Sequence, residues 1–190
     1  MPIVQKRNPP ANGRNIIGKA LRDLWGRPDP NALLGGATIN LSEPLPLYSL
    51  RLDDIGKHDM LSKAKLVGWR YLMEKPGGVA YADLIETPGG SPAFASLSPN
   101  RNAERLSQAA HLAETVASGL SDCEARILDI PALHISTIWL ACSEPKFIPY
   151  IDLEKLREPE TKISVDEDFL VRLTKRAEQL RQHLSDPRRG

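Results

Sequence analysis

The segment CEARILDIPALHISTIWLAC, residues 123–142, is the hydrophobic centre of the chain and decides the fold. Its two apolar runs, Cys123–Ile130 and Leu133–Cys142, flank Pro131-Ala132. This arrangement predicts two antiparallel strands joined by a tight connection. Apolar residues occupy both faces of each run, which is typical of central strands that are covered on both sides. The segment therefore predicts the middle of a β-sheet.

The shortest connection sets the register of this hairpin. If Ile130 faces Leu133, then Asp129 lies opposite His134. A carboxylate can orient a histidine for acid–base chemistry. Asp129 and His134 are therefore the candidate catalytic residues, although a plain hydrogen bond beside the turn would also explain the pair.

Cys123 and Cys142 are the only cysteines of the chain. The expected register places them on one face but diagonally, which disfavours a disulfide. The first 30 residues lack the apolar core of a signal peptide. We therefore expect a cytoplasmic protein in which both thiols are reduced and packed as small apolar groups.

The rest of the chain supplies further strands and two main helices. A stripe of small apolar residues predicts a helix over 102–120, and a second stripe predicts one over 165–184. Ser164 and Glu167 fit a capping box at the start of the second helix. Strands are expected near residues 47–52, 67–73, 79–85 and 147–150. The predicted fold class is α+β, an antiparallel sheet of about five or six strands with these helices packed on it.

Charge divides the chain into two parts. Residues 1–36 hold six bases and two acids, whereas residues 37–190 carry a small acidic excess. We expect a basic, partly disordered arm with a short amphipathic helix from Asn15 onward, followed by one α+β domain over 37–190. The arm is either a solvated tail or a nucleic-acid contact made by bases such as Lys6, Arg7, Arg14, Lys19 and Arg22.

Composition and motifs exclude several classes of protein. The 190 residues contain no apolar stretch long enough for a transmembrane helix, and their net charge of +1 gives no global attraction to nucleic acid. Phosphate-binding, dinucleotide-binding, zinc-protease and nucleophile-elbow motifs are absent from the sequence. The four histidines have no helical-spacing partner. We therefore expect no cofactor and no metal.

Two groups of residues are candidates for a binding surface. Trp69, Arg70 and Tyr71 are residue types that anchor interfaces when they are exposed. The stripe on the C-terminal helix could dock in a groove or form one; it includes Phe169, Leu173 and Leu180. Packing in the protein's own core is the alternative for both groups.

These observations favour a non-catalytic protein-binding or adaptor protein of a bacterial cytoplasm, acting on another protein or on a second copy of itself. The lack of every compact catalytic motif carries this expectation. One alternative is a small enzyme with a dispersed site around Asp129 and His134, joined by Asp83 or Glu86. The other is nucleic-acid contact through the basic arm.

Overall fold

A computed structural model describes residues 8–25, 40–75, 78–98, 101–153 and 162–185. Within these ranges the protein is α+β, with one eight-stranded, mostly antiparallel sheet and four α-helices. The strands are β1 (Asn40–Leu41), β2 (Leu45–Ser49), β3 (Lys65–Lys75), β4 (Gly78–Glu86), β5 (Pro92–Ser98), β6 (Glu124–Ile130), β7 (Ile135–Ala141) and β8 (Lys146–Asp152). The helices are α1 (Gly13–Trp25), α2 (Met60–Lys63), α3 (Arg101–Ala117) and α4 (Phe169–Leu184).

The strand order is β5-β4-β3-β2-β6-β7-β8, and β1 pairs with β3 beside β2. Every neighbouring pair is antiparallel except β2 and β6, which run parallel. The predicted class is confirmed, but the sheet has more strands than the five or six expected. β1 is only two residues long, and so short a strand leaves no alternating pattern to read.

The helices cover the two faces of the sheet. α3 packs on one face, where its alanines allow a close approach to Leu72, Ile127 and Ile138. We call this the α3 face. The opposite face is covered by α4, which packs on β2, β6 and β7, and by α1, which packs on β3 and β4. The sheet therefore forms the middle layer of the molecule.

α1 belongs to this core through Ile17 and Leu21, which are buried against β3 and β4. The helix begins at Gly13, two residues before the expected Asn15. A Cβ atom at Gly13 would overlap the hydroxyl group of Tyr71. The missing side chain thus lets the first turn of α1 lie directly on β3.

The predicted capping box of α4 is not formed. The helix begins at Phe169, later than expected, and Asp168 is its N-cap residue. Glu167 instead pairs with Lys146 of β8 at 2.9 Å. The segment before the helix is held along β8, because the Asp166 amide donates to the Phe147 carbonyl oxygen.

The register of β6 and β7 differs by two residues from the expected one. Pro131–Leu133 forms a 3-10 turn, and His134 closes it in the left-handed region with φ of 51°. Four residues rather than two therefore connect the strands. Ile130 consequently pairs with Ile135, and Asp129 pairs with Ser136 instead of His134.

This register brings the two cysteines together. The last β6–β7 pair is Glu124 with Ala141, so the next position sets Cys123 opposite Cys142. Their Cα atoms are 4.5 Å apart and their sulfur atoms are bonded. The prediction of two reduced thiols is wrong. The bond also removes one ground for expecting a cytoplasmic protein, because disulfides persist in oxidising compartments.

Replacing both cysteines by alanine is expected to lower the free energy of unfolding by about 2–4 kcal/mol. The bond closes a loop over a sequence separation of 19 residues and thereby restrains the unfolded chain. Urea unfolding of wild type and of the Cys123→Ala/Cys142→Ala variant measures the loss. Wild type unfolded in urea with a thiol reductant present should have the same free energy of unfolding as the variant. Two free thiols in the native protein by mass spectrometry would contradict the pairing.

Candidate functional site

A cleft of about 670 Å³ lies between α3 and the part of the sheet where β1 and β2 run along β3. Its floor is apolar: Leu72, Leu106 and Ala125 are buried, and Leu45 and Ala110 are half-buried. The lining residues come from four separate stretches of the chain. We call this the α3 cleft; its remaining lining residues are Asn40, Ser42, Glu43, Arg70, Glu74, His111 and Glu114.

The rim of the α3 cleft is exposed and acidic. Glu43, Glu74 and Glu114 lie at its edges, and all three are exposed. Glu43 forms an ion pair with Arg14 of α1 at 3.2 Å, and its side chain is still 78% exposed. Arg14 also donates to the Leu41 carbonyl oxygen at 3.0 Å. The rim therefore joins β1 to α1 while keeping its carboxylates in contact with solvent.

His111 lies on the same rim and is exposed. Its Nδ1 lies 2.8 Å from the Ser107 carbonyl oxygen one turn earlier in α3. A carbonyl can only accept, so Nδ1 carries the proton in this bond.

Beneath the cleft, Arg70 is the centre of a buried polar cluster. Its Nε and Nη2 donate to the two carboxylate oxygens of Asp83 at 2.6 and 2.8 Å. Its Nη1 donates to the Tyr150 hydroxyl at 2.5 Å, and its Nη2 reaches Asp129 at 3.4 Å. The guanidinium also lies 4.2 Å from the centre of the Tyr81 ring. We call these five residues the Arg70 cluster.

The Arg70 cluster combines strands that are distant in sequence. Arg70 of β3 and Asp83 of β4 lie directly opposite each other in the sheet. Asp129 belongs to β6 and Tyr150 to β8. Burial lowers the pKa of Arg70, but the neighbouring Tyr150 hydroxyl and the two carboxylates outweigh that effect and raise it above the ordinary arginine value. Arg70 therefore stays charged, and its charge is neutralised locally.

Asp129 is the least satisfied member of the Arg70 cluster. Its Oδ1 is buried and has no hydrogen-bond partner within the described ranges. Burial raises the pKa of this carboxyl above its ordinary value, against the lowering effects of Arg70 and the Ser136 hydroxyl. The fold thus favours the protonated carboxyl at position 129 relative to the unfolded chain.

We expect the stability of Asp129→Asn relative to wild type to increase with pH. The folded pKa lies above the unfolded value of about 3.9. The stability that this raised pKa contributes to the folded protein is therefore fully present below about pH 4. It is lost as the pH rises through the folded pKa. An asparagine has no charge to desolvate. Urea unfolding at pH 4 and pH 7 should show the two proteins diverging in favour of the variant.

The matched substitution is Asp83→Asn, which removes a carboxylate that makes two short bonds to the same arginine. It should destabilise the protein at pH 7, because Arg70 loses its bidentate partner. If Asp129→Asn were instead the more destabilising of the two at pH 7, the assigned roles of the carboxylates would be wrong.

The predicted catalytic pair is not brought together. Asp129 lies on the α3 face and contacts Arg70. His134 is exposed in the turn before β7, where it lines a shallow groove with Arg176 and Leu180 of α4. Of the residues proposed for a dispersed enzyme site, the structure instead joins Asp129 to Asp83 through Arg70.

Most of the residues predicted to bind a partner are core residues in the structure. Trp69 and Tyr71 are buried on the opposite face, where they pack with α1. Phe169 and Leu173 are buried under α4, and Leu180 is half-buried beside them. The four buried side chains could contact a partner only if the core opened and exposed them. Arg70 lines the α3 cleft, and Leu180 lines the groove beside α4.

The basic arm is described only in part. Lys6 and Arg7 lie outside the described residues. Arg14 is bound to Glu43 and to β1, while Lys19 and Arg22 are exposed on α1. Of the five bases predicted to contact nucleic acid, Arg14 therefore binds groups of the protein itself.

Comparisons of the chain with protein-family models, with curated proteins and with solved structures find no match. Across the described ranges, no group of three or more His, Cys, Asp and Glu side chains could hold a metal ion. In those same ranges, no helix has the length and apolarity needed to cross a membrane.

Sequence reasoning missed the α3 cleft because no local pattern marks it. Glu74 ends an alternating strand and Glu114 lies on the polar side of a helix, so each looks like an ordinary solvated charge. The signal that was available is the charged pair within β3 and β4. Arg70 and Asp83 both interrupt apolar strands, and a charge in such a place needs a partner.

Proposed function

We propose that this protein is a non-catalytic binding protein and that its binding site is the α3 cleft. The observation that carries the proposal is the combination of an apolar floor with an exposed polar rim. Concave sites lined mainly by apolar side chains, with a few polar groups at their edge, are typical of binding sites. The proposal keeps the class of function expected from the sequence and moves the site from α4 to α3.

The openness of the α3 cleft favours a segment of a partner protein over an enclosed small molecule. Small-molecule sites usually bury roughly 70–90% of their ligand. Here the rim residues Glu43, Glu74, His111 and Glu114 are all exposed, so an occupant would be covered mainly on one side. A chain that lies across the cleft fits this shape.

Arg70, the cation that lines the cleft, does not favour an acidic or phosphorylated occupant. Its donors are directed to Asp83, Tyr150 and Asp129. An incoming anion would compete with two carboxylates that are already in place. Arg70 therefore has a structural role beneath the cleft, and its charge is neutralised by its own carboxylate partners.

Selection from a random 12-residue peptide library on the immobilised protein tests this proposal. Wild type should enrich related sequences, and Ala110→Trp should abolish the enrichment because the indole fills the half-buried floor. Gln108→Trp is the matched control, since it adds the same ring at an exposed position of α3. Thermal unfolding confirms that both variants fold. Equal enrichment by wild type and Ala110→Trp, or none by wild type, would contradict the proposal.

A second candidate function is proton transfer at Asp129, favoured by its raised pKa and by its buried Oδ1, which has no hydrogen-bond partner among the described residues. Groups with such shifts are candidate acids and bases. A screen of ester, amide and phosphoester substrates with wild type and Asp129→Asn tests it. Turnover by wild type that disappears in the variant would favour this candidate, while inactivity of both proteins on the panel would favour the binding role.

A further inference from the structure

The charge of the α3 cleft indicates what kind of segment it accepts. Glu74 and Glu114 form no ion pair with any described residue. Glu43 shares its charge with Arg14, and Arg70 is neutralised by its own carboxylates. Taken together, the described charges leave the rim with net negative charge. Complementarity therefore calls for a positively charged occupant.

The hydrogen-bonding groups have the same preference. The carboxylates of Glu43, Glu74 and Glu114 on this rim accept hydrogen bonds and donate none. Lysine and arginine side chains carry donors and no acceptors. They satisfy this rim, whereas an aspartate or glutamate would place acceptor against acceptor.

The spacing along α3 separates the apolar and acidic parts of the cleft. Leu106 on the floor and Glu114 on the rim are eight residues apart on one side of the helix. At about 1.5 Å per residue this is roughly 12 Å along the helix axis. An extended chain covers the same distance in about three to four residues, at about 3.3 Å each.

We propose that the α3 cleft binds a segment of a partner protein in which apolar side chains lie three to four residues away from a lysine or arginine. This proposal rests on the proposed function of the cleft. The apolar side chains would cover the half-buried Leu45 and Ala110, and the cation would lie between Glu74 and Glu114.

The composition of the selected peptides tests the inference. Among sequences enriched by wild type and not by Ala110→Trp, lysine and arginine should be at least about threefold more frequent than in the starting library. The Glu74→Gln/Glu114→Gln variant should lose this bias. The control Glu104→Gln/Glu178→Gln removes two exposed charges outside the cleft and should keep it. Enriched peptides without basic bias would overturn the inference and leave the proposed function standing, whereas no enrichment would contradict the function itself.

Affinity measurements on the most enriched basic peptide complete the test. Replacing its basic residues by glutamine should weaken binding about five- to tenfold at low salt, the size expected for two exposed ion pairs. The difference should shrink in 0.5 M NaCl, because salt screens exposed charges. If octylamine, a small cation with an apolar chain, displaces the peptide at an equal concentration, the choice of a protein segment as occupant is wrong.

Discussion

Arg70→Met is expected to lower the free energy of unfolding by about 3–5 kcal/mol, the usual effect of removing one partner from a buried ion pair. Arg70 is only 5% exposed. Its loss removes the two hydrogen bonds that Arg70 donates to the Asp83 carboxylate and the one that it donates to the Tyr150 hydroxyl. Urea unfolding at pH 7 measures the change.

The control for this variant is Arg51→Met, which removes an exposed arginine and should change stability by less than about 0.5 kcal/mol. A second variant, Arg70→Met/Asp83→Leu, removes the buried partner as well. It should recover part of the loss, since an apolar replacement of a whole buried pair is often tolerated. A neutral effect of Arg70→Met alone would show that the Arg70 cluster is not buried as described.

Trp139→Ala is expected to cost about 3–5 kcal/mol, as for other large aromatic residues removed from a core. Trp139 of β7 is only 6% exposed and lies on the face of the sheet that α4 covers. Its ring packs against Tyr48 and Phe147, with centroids 6.0 and 6.4 Å away, and Arg126 lies 4.7 Å above it. The variant would leave a cavity in the middle of the α4 side of the core.

Trp139→Phe provides the informative comparison. The indole Nε1 is buried without a hydrogen-bond partner in the described structure, and an unpaired buried donor is unfavourable. Phenylalanine fills much of the volume without that donor, so it should retain most of the stability that alanine loses. Val171→Ala, at a position 72% exposed, is the near-neutral control. A small effect of Trp139→Ala would place the ring outside the core.

The central strands and the helix α3 were predictable because their apolar patterns are long. β6, β7 and α3 are each long enough for the apolar pattern to be recognised in the sequence. Trp139 belongs to the apolar run that predicted the second of these strands, and it is buried in the structure. The small residues of α3 likewise indicated close packing on a sheet, which is confirmed.

The hairpin register was not predictable from the apolar pattern. A two-residue shift preserves which face each side chain occupies, since side chains alternate with a period of two. Only the conformation of the turn distinguishes the two registers, and His134 adopts a left-handed backbone that few non-glycine residues adopt. The error hid the disulfide and created a false Asp129–His134 pair.

The α3 cleft was beyond sequence reasoning for a different reason. It depends on the order of the strands, in which β1 and β2 both pair with β3 while β2 also pairs with β6 in parallel. No residue type in β2 signals a parallel neighbour that lies some eighty residues further along the chain. The residues that meet in the cleft are therefore ordinary ones brought together by topology.

The most direct test of the binding role is a methyl NMR titration with the most enriched peptide of the wild-type selection. Signals of Ala110, Ala125 and Leu72 should shift progressively on addition of the peptide, because these methyl groups line the α3 cleft. Signals of Leu133 and Leu180, in the groove beside α4, should stay unchanged. Shifts confined to the α4 groove, with the α3 cleft signals unmoved, would contradict the account.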